Sequence, residues 1–212
     1  MKFRYIIDPQ YQSQDYFPID LSIHNSFWDK NDVSDIPTME NFLEEQRNTS
    51  GKFVAHGGYK EQRALYRKSA RFQDGAVRDV HMGIDLWAPA GTSVHAIMDG
   101  KVHSFADNDD VGNYGPTLIL EHDYQGDKLH SLYGHLSKSD MQRWEIGARF
   151  RESEQIATLG TPQENGGYSP HLHFQLMTTM QDYAGDFPGV IAENDLEKYS
   201  EIILDPNPFI FH

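Results

Sequence analysis

Residues 169–176 read SPHLHFQL and place two histidines, His171 and His173, one residue apart inside an apolar run. In a β-strand successive side chains point to opposite faces, so His171, His173 and Gln175 share one face while Leu172, Phe174 and Leu176 share the other. Same-face neighbours lie roughly 6.5 Å apart. If one imidazole holds a metal ion at about 2 Å, the other reaches a water or substrate group on that ion. That geometry suits chemistry on a metal-bound water or substrate. With 11 histidines in 212 residues, however, chance supplies an HxH in about every second chain of this kind. Other residues must converge on the same face before the pair carries weight.

Three HxxxD stretches offer partners: His81 to Asp85, His95 to Asp99 and His103 to Asp107. Along a regular strand, residues four apart are roughly 13 Å from each other, too far to share an ion, so a useful pair needs a turn between its members. HMGID supplies one at Gly83. HAIMD and HSFAD have no internal glycine, and His95 and His103 read as strand-surface residues rather than ligands. In SLYGHLS, alternation puts Ser131, Tyr133 and His135 on one face and Leu132 and Leu136 on the other. His135 can then face the cleft of a neighbouring HxH strand, although taken singly it also fits a structural histidine.

The elements that must position these residues differ along the chain. From about residue 76 the sequence consists of short runs rich in Val, Ile, Thr and aromatics, punctuated by Gly, Pro, Asn and Asp: TSVHAIMDGKVHSF, PTLILEHDY, KLHSLYGHL, SEQIATLG and HLHFQLMT. This is antiparallel β texture. SDMQRWEIG and NDLEKYSE read as short helices or turns between strands. Residues 1–75 mix aromatic, acidic and turn residues, with helix candidates at TMENFLEEQRN, capped by Thr38, and at YKEQRALYRKS. The expected architecture is a mainly β domain over 76–212, two antiparallel sheets enclosing a cleft, with a partly helical segment over 1–75 packed on it.

Composition limits the function. At 38% hydrophobic residues the chain can bury a substantial core. No stretch approaches the length of about 20 apolar residues that spans a bilayer. Asp8 and Pro9 interrupt the place where a signal peptide would continue its apolar region, which predicts a cytoplasmic protein. The absence of cysteine excludes disulfides, thiol catalysis and thiolate metal sites, so any metal must sit on His, Asp or Glu. A formal net charge of −14 argues against nucleic acid and against retention on an anionic surface. The most basic stretch, RALYRKSAR at 63–71, reads as the solvated face of a short helix.

In order, HMGIDLWAPAGTSVHAIMDGKV, LYGHLS and PHLHFQL resemble the M23 family of zinc metallopeptidases, of the LytM and lysostaphin type, whose pattern is HxGxDxxxxxGxxVxAxxxGxV, then YxHL, then HLHF. The match spans roughly residues 76–177. The resemblance implies a lysostaphin-like, duplicated-hybrid-motif fold. It also implies Zn2+ held by His81, Asp85 and His173, with His135 and His171 as the catalytic histidines. Two neutral imidazoles and a carboxylate leave an open position at which zinc activates water. Which histidine takes the proton and which stabilises the oxyanion stays open. Some positions depart from the pattern. Gly115-Pro116 stands where Gly-Asn often precedes the strand ending at His122, QENGGYS replaces the usual GxSTG loop, and Gln175 replaces a following Glu. With GGYKEQR upstream and LDPNP near the end, the chain is similar to M23 domains found beside phosphotransferase and aminotransferase modules.

Two functions follow from that resemblance. One is a zinc endopeptidase cutting peptides of the peptidoglycan-derived kind. The other is a cytoplasmic module that keeps a metal for ligand binding without proteolysis, or hydrolyses a small non-wall amide. All five polar residues are present and in order, which favours the enzyme.

Overall fold

A computed structural model describes residues 4–68 and 77–211. Among these, fourteen strands occur: β1 (Tyr16–Pro18), β2 (Val54–Gly57), β3 (Glu61–Gln62), β4 (Arg78–His81), β5 (Ile84–Trp87), β6 (Ser93–His95), β7 (Gly100–Asn108), β8 (Gly115–Tyr124), β9 (Asp127–Gly134), β10 (Arg149–Phe150), β11 (Gln155–Thr158), β12 (His171–Met177), β13 (Val190–Ala192) and β14 (Ile203–Leu204). Nine form one sheet in the order β1-β2-β5-β12-β9-β8-β7-β10, with β14 also paired to β12. Two smaller sheets, β11-β6 and β13-β4-β3, complete the β structure. The fold is mainly β and antiparallel, with parallel pairing at β1–β2. The chain passes from the three-stranded sheet into the large one between β4 and β5.

Both faces of the large sheet are covered. Leu172, Phe174 and Leu176 of β12 join Ile84, Leu86 and Tyr133 in the main core, together with Val94 and Ile156 from the two-stranded sheet. On the other face, Ile119, Leu132 and Met177 pack with Val80, Phe187 and Ile191. The alternation in HLHFQLM therefore separates two buried environments, one apolar and one carrying the polar residues. Ile84, 1% exposed, lies in the well-packed core. Ile84→Val is expected to cost about 1 kcal/mol, a fall in Tm of about 2–4 °C for a chain of this size, measurable by thermal denaturation.

The first 68 residues supply β1 and β2, which extend the large sheet past β5, and a helix over Ile36–Ser50. Its Phe42 and Leu43 pack with Phe17, Trp28 and Trp87. Asp35 is the N-cap, accepting from the Thr38 amide at 3.0 Å, so Thr38 lies inside the helix rather than at its cap. The Thr38 hydroxyl also donates to the same carboxylate, at 2.6 Å. A shorter helix, Ala64–Lys68, follows β3; the remainder of RALYRKSAR lies outside the described residues. Arg63 is not on a solvated face but is 2% exposed. Among the described residues no helix is long and apolar enough to cross a membrane.

Candidate active site

Strand register brings the first pair together. His173 of β12 lies opposite Asp85 of β5 and opposite Gly134 of β9, and Asp85 lies opposite Gly57 of β2. Residues paired across antiparallel strands share a face with their Cβ atoms about 5 Å apart. Asp85 and His173 are thus adjacent by register, between two glycines that leave room above the sheet.

His81 arrives differently. It ends β4 in the three-stranded sheet, and residues 82–83 carry the chain across into β5. That crossing folds His81 back onto Asp85, with Nε2 to Oδ1 at 3.3 Å. Gly83 serves this arrangement by having no side chain. A Cβ there would stand 2.5 Å from His173 Cε1 and 2.8 Å from the Phe174 carbonyl oxygen.

The three candidate ligands converge. His81 Nε2 lies 2.9 Å from His173 Nδ1, and His173 Nδ1 lies 3.1 Å from Asp85 Oδ1. In tetrahedral coordination with bonds of about 2.0–2.2 Å, donors stand about 3.4 Å apart, so an ion fits after shifts of a few tenths of an ångström. Among the described residues these three form the group of His and carboxylate side chains able to hold a metal. The nitrogens facing away are fixed. His81 Nδ1 lies 2.9 Å from the Gly58 carbonyl and His173 Nε2 lies 3.2 Å from Gln175 Oε1. Gln175 in turn donates to the Pro188 carbonyl. Donation from these nitrogens leaves His81 Nε2 and His173 Nδ1 with lone pairs directed at Asp85 Oδ1 and each other. Burial, then the Arg63 charge, pushes His81 down to about 4, so it is neutral near pH 7. Burial alone would raise Asp85, but His81 and Arg63 outweigh it and hold the carboxyl well below its usual range.

His135 and His171 form a second pair, with ring centroids 4.2 Å apart. His171 is stacked on Trp87 at 5.4 Å, its partner in the β12–β5 register. His171 Nδ1 is 2.7 Å from the Ser169 carbonyl, and His135 Nδ1 is 2.7 Å from the Asn165 carbonyl. The loop QENGGYS supplies both acceptors. With Nδ1–H committed to a carbonyl, each neutral imidazole keeps Nε2 as an acceptor facing the cleft. Burial, reinforced at His135 by His171 and His173, lowers both pKa values below the ordinary imidazole range.

His135 reaches this place against the alternation expected of its strand. Tyr133 pairs with Phe174 and lies in the main core, whereas Leu132 pairs with Gln175 on the site face. A strand continuing past Gly134 would therefore aim His135 at the core. Instead β9 ends at Gly134, and His135 adopts φ 62. That left-handed conformation, uncommon outside glycine, swings the imidazole into the cleft. It is held from both sides by His135 N–H to the Tyr114 carbonyl and Gly160 N–H to the His135 carbonyl. His135 and His173 stand 6.4 Å apart between ring centroids.

Of the five residues singled out in the sequence, Asp85, His135, His171 and His173 line one cleft together with Arg63, Tyr66, Tyr114 and Tyr168, and the fully buried His81 meets it through Asp85 and His173. His95 and His103 do not join them. His95 is buried, not on the surface, and is satisfied by the Ser153 carbonyl and the Ser93 hydroxyl. Sequence reasoning did not assign a part to Arg63, Trp87 or the 57–58 glycines. The Gly-Gly turn in GGYKEQR was their one visible signal.

Residues 79–184, half of the chain, match Peptidase family M23. Among curated proteins, the chain is 35% identical over 101 residues to the glycyl-glycine endopeptidase ALE-1 of Staphylococcus capitis, a match covering 46% of this chain and 25% of that protein. It is 32% identical over 96 residues to the DD-carboxypeptidase/endopeptidase Mpg of Neisseria meningitidis, covering 45% and 20%. These matches thus take in a quarter or less of the curated relatives' length. Among solved structures, the catalytic domain of the antimicrobial peptidase lysostaphin from Staphylococcus simulans aligns at 23% identity with a TM-score of 0.44, over 63% of this chain and 81% of that one.

Proposed function

Because the chain belongs to peptidase family M23, we propose that it is a zinc-dependent endopeptidase that hydrolyses peptide bonds in the cleft around His81, Asp85, His135, His171 and His173. The observation that carries this reading is the convergence of the Nε2, Oδ1 and Nδ1 donors of His81, Asp85 and His173 within 3.3 Å of one another. Zinc in such a set supplies a Lewis acid and a nucleophilic water near neutral pH.

The chain's own residues supply the proton handling. His135 and His171 enter as neutral imidazoles with Nε2 free to take the proton of the attacking water. The one that takes it becomes a donor at the same nitrogen, able to hydrogen-bond the developing oxyanion or to deliver the proton to the leaving amine. The carbonyls of Asn165 and Ser169 hold both rings in the tautomer this requires. We place residues 1–75 as a flank of the peptidase unit at 76–212, supported by the extension of its sheet through β1 and β2.

The bonds cleaved by its relatives point to peptides of the cell-wall type, rich in glycine or D-amino acids. Purified protein is expected to contain zinc, to cleave oligoglycine or D-amino-acid peptides, to stop when a chelator strips the metal and to resume when zinc is restored. Zinc binding without cleavage of any such peptide, or of peptidoglycan fragments, would leave the non-proteolytic module as the function.

A further inference from the structure

Asp85 uses its two carboxylate oxygens differently. Oδ1 faces His81 and His173, whereas Oδ2 accepts from Arg63 Nη1 at 2.5 Å. Arg63 is itself held on two further sides, by Nε to Glu61 Oε2 at 2.7 Å and by Nη2 to the Gly57 carbonyl at 3.2 Å. Glu61 is anchored in turn, since its Oε1 accepts from the Leu21 amide at 3.0 Å. The turn between β2 and β3 is shaped around this guanidinium. Gly58 has φ 109, and a Cβ there would lie 2.0 Å from Arg63 Nη2. The carbonyl of the same Gly58 receives His81 Nδ1. Arg63 also lies 5.9 Å from the Trp87 ring, which stacks on His171. Residues 57–63 thus contact two of the candidate ligands directly and a candidate catalytic histidine through one indole. All of them precede residues 79–184, the span that matches the family.

From this geometry we infer that Arg63 is a positioning residue that reserves Oδ2 of Asp85 and so presents Oδ1 alone to the metal, with residues 57–63 forming the outer shell of the site. The inference rests on the zinc reading above. A carboxylate with both oxygens free can chelate an ion with the pair, which fills the position a water or substrate needs. A guanidinium on one oxygen prevents that, and its planar fork holds the carboxylate in one orientation. The cost would be a buried positive charge beside a dication. Glu61 removes it: the Arg63–Glu61 pair is neutral, so a bound zinc sees the charge of Asp85 and two imidazoles undiminished.

Loading the full chain with Co2+ reads the coordination without reference to activity. Arg63→Gln frees Oδ2 and is expected to bind a single Co2+ ion but lose most of the visible band intensity of a four-coordinate site. Arg63→Lys, which keeps a cation against Oδ2, is expected to retain it. Glu61→Gln leaves Arg63 uncompensated and is expected to bind zinc about 10- to 100-fold more weakly in competition with a chelator. A Co2+ spectrum of Arg63→Gln superimposable on that of the parent would overturn the inference. If that variant does not fold, Glu61→Gln with undiminished zinc affinity would do the same. A parent chain that binds neither ion overturns the metal reading itself and this inference with it.

Discussion

His171→Ala is expected to keep its zinc and lose about 100- to 10,000-fold in turnover, the worth of a positioned acid, base or oxyanion partner. His173→Ala is expected to lose both metal and activity, because one of three ligands is gone. The two side chains share a strand face, yet their surroundings differ. His173 Nδ1 lies 2.9 Å from His81 Nε2 and 3.1 Å from Asp85 Oδ1, whereas His171 gives Nδ1 to the Ser169 carbonyl and lies against His135 and Trp87. Metal stoichiometry by mass spectrometry and initial rates on an oligoglycine peptide separate the two roles. Loss of zinc from His171→Ala as complete as from His173→Ala would reverse the assignment. His135→Ala should behave as His171→Ala does, since its Nδ1 is likewise committed to a carbonyl.

Asp85→Ala is expected to abolish zinc binding and also to weaken the metal-free protein. Arg63, 2% exposed, would lose a carboxylate partner while still buried. Removing one member of a buried ion pair costs about 3–5 kcal/mol. Glu61 remains as a partner, so the lower figure is expected, a fall in Tm of about 6–12 °C at this chain length. His173→Ala leaves no charge behind and should melt closer to the parent under the same conditions. Thermal denaturation of both variants in excess chelator makes the comparison. Equal melting temperatures for Asp85→Ala and the parent would show that Glu61 and the Gly57 carbonyl satisfy Arg63 without Asp85.

The local sequence determined most of the chemistry. The period-2 alternation of HLHFQL put His171, His173 and Gln175 on one face, and in the structure His171 and His173 line the cleft while Gln175 is buried behind His173. The need for a turn between His81 and Asp85 was also legible, because two residues four apart on a straight strand cannot meet. The runs PTLILEHDY, KLHSLYGHL, SEQIATLG and HLHFQLMT gave antiparallel strands near their observed limits, whereas TSVHAIMDGKVHSF divides into β6 and β7, which lie in different sheets. These features depend on neighbours within a few residues, and strand geometry carries them without help from the rest of the chain.

Features depending on distant partners were decided by the tertiary structure. Alternation placed His135 on the face of Tyr133, but Tyr133 faces the core and His135 enters the cleft through a left-handed residue held by the Tyr114 carbonyl and the Gly160 amide. The basic stretch at 63–71 read as solvated, yet Arg63 is buried because Asp85, Glu61 and the Gly57 carbonyl replace its water. None of those contacts has a local periodicity. A charged side chain is drawn inside only when partners from elsewhere satisfy it, and the pairing of β2 with β5 brings the 57–63 turn to Asp85. The sequence by itself therefore determined which residues can do the chemistry. Folding decided how Asp85, His81 and His135 are aimed and how His81 meets His173, because those contacts join residues 22 to 92 positions apart, whereas the partners of His171 Nδ1 and His173 Nε2 lie two residues away.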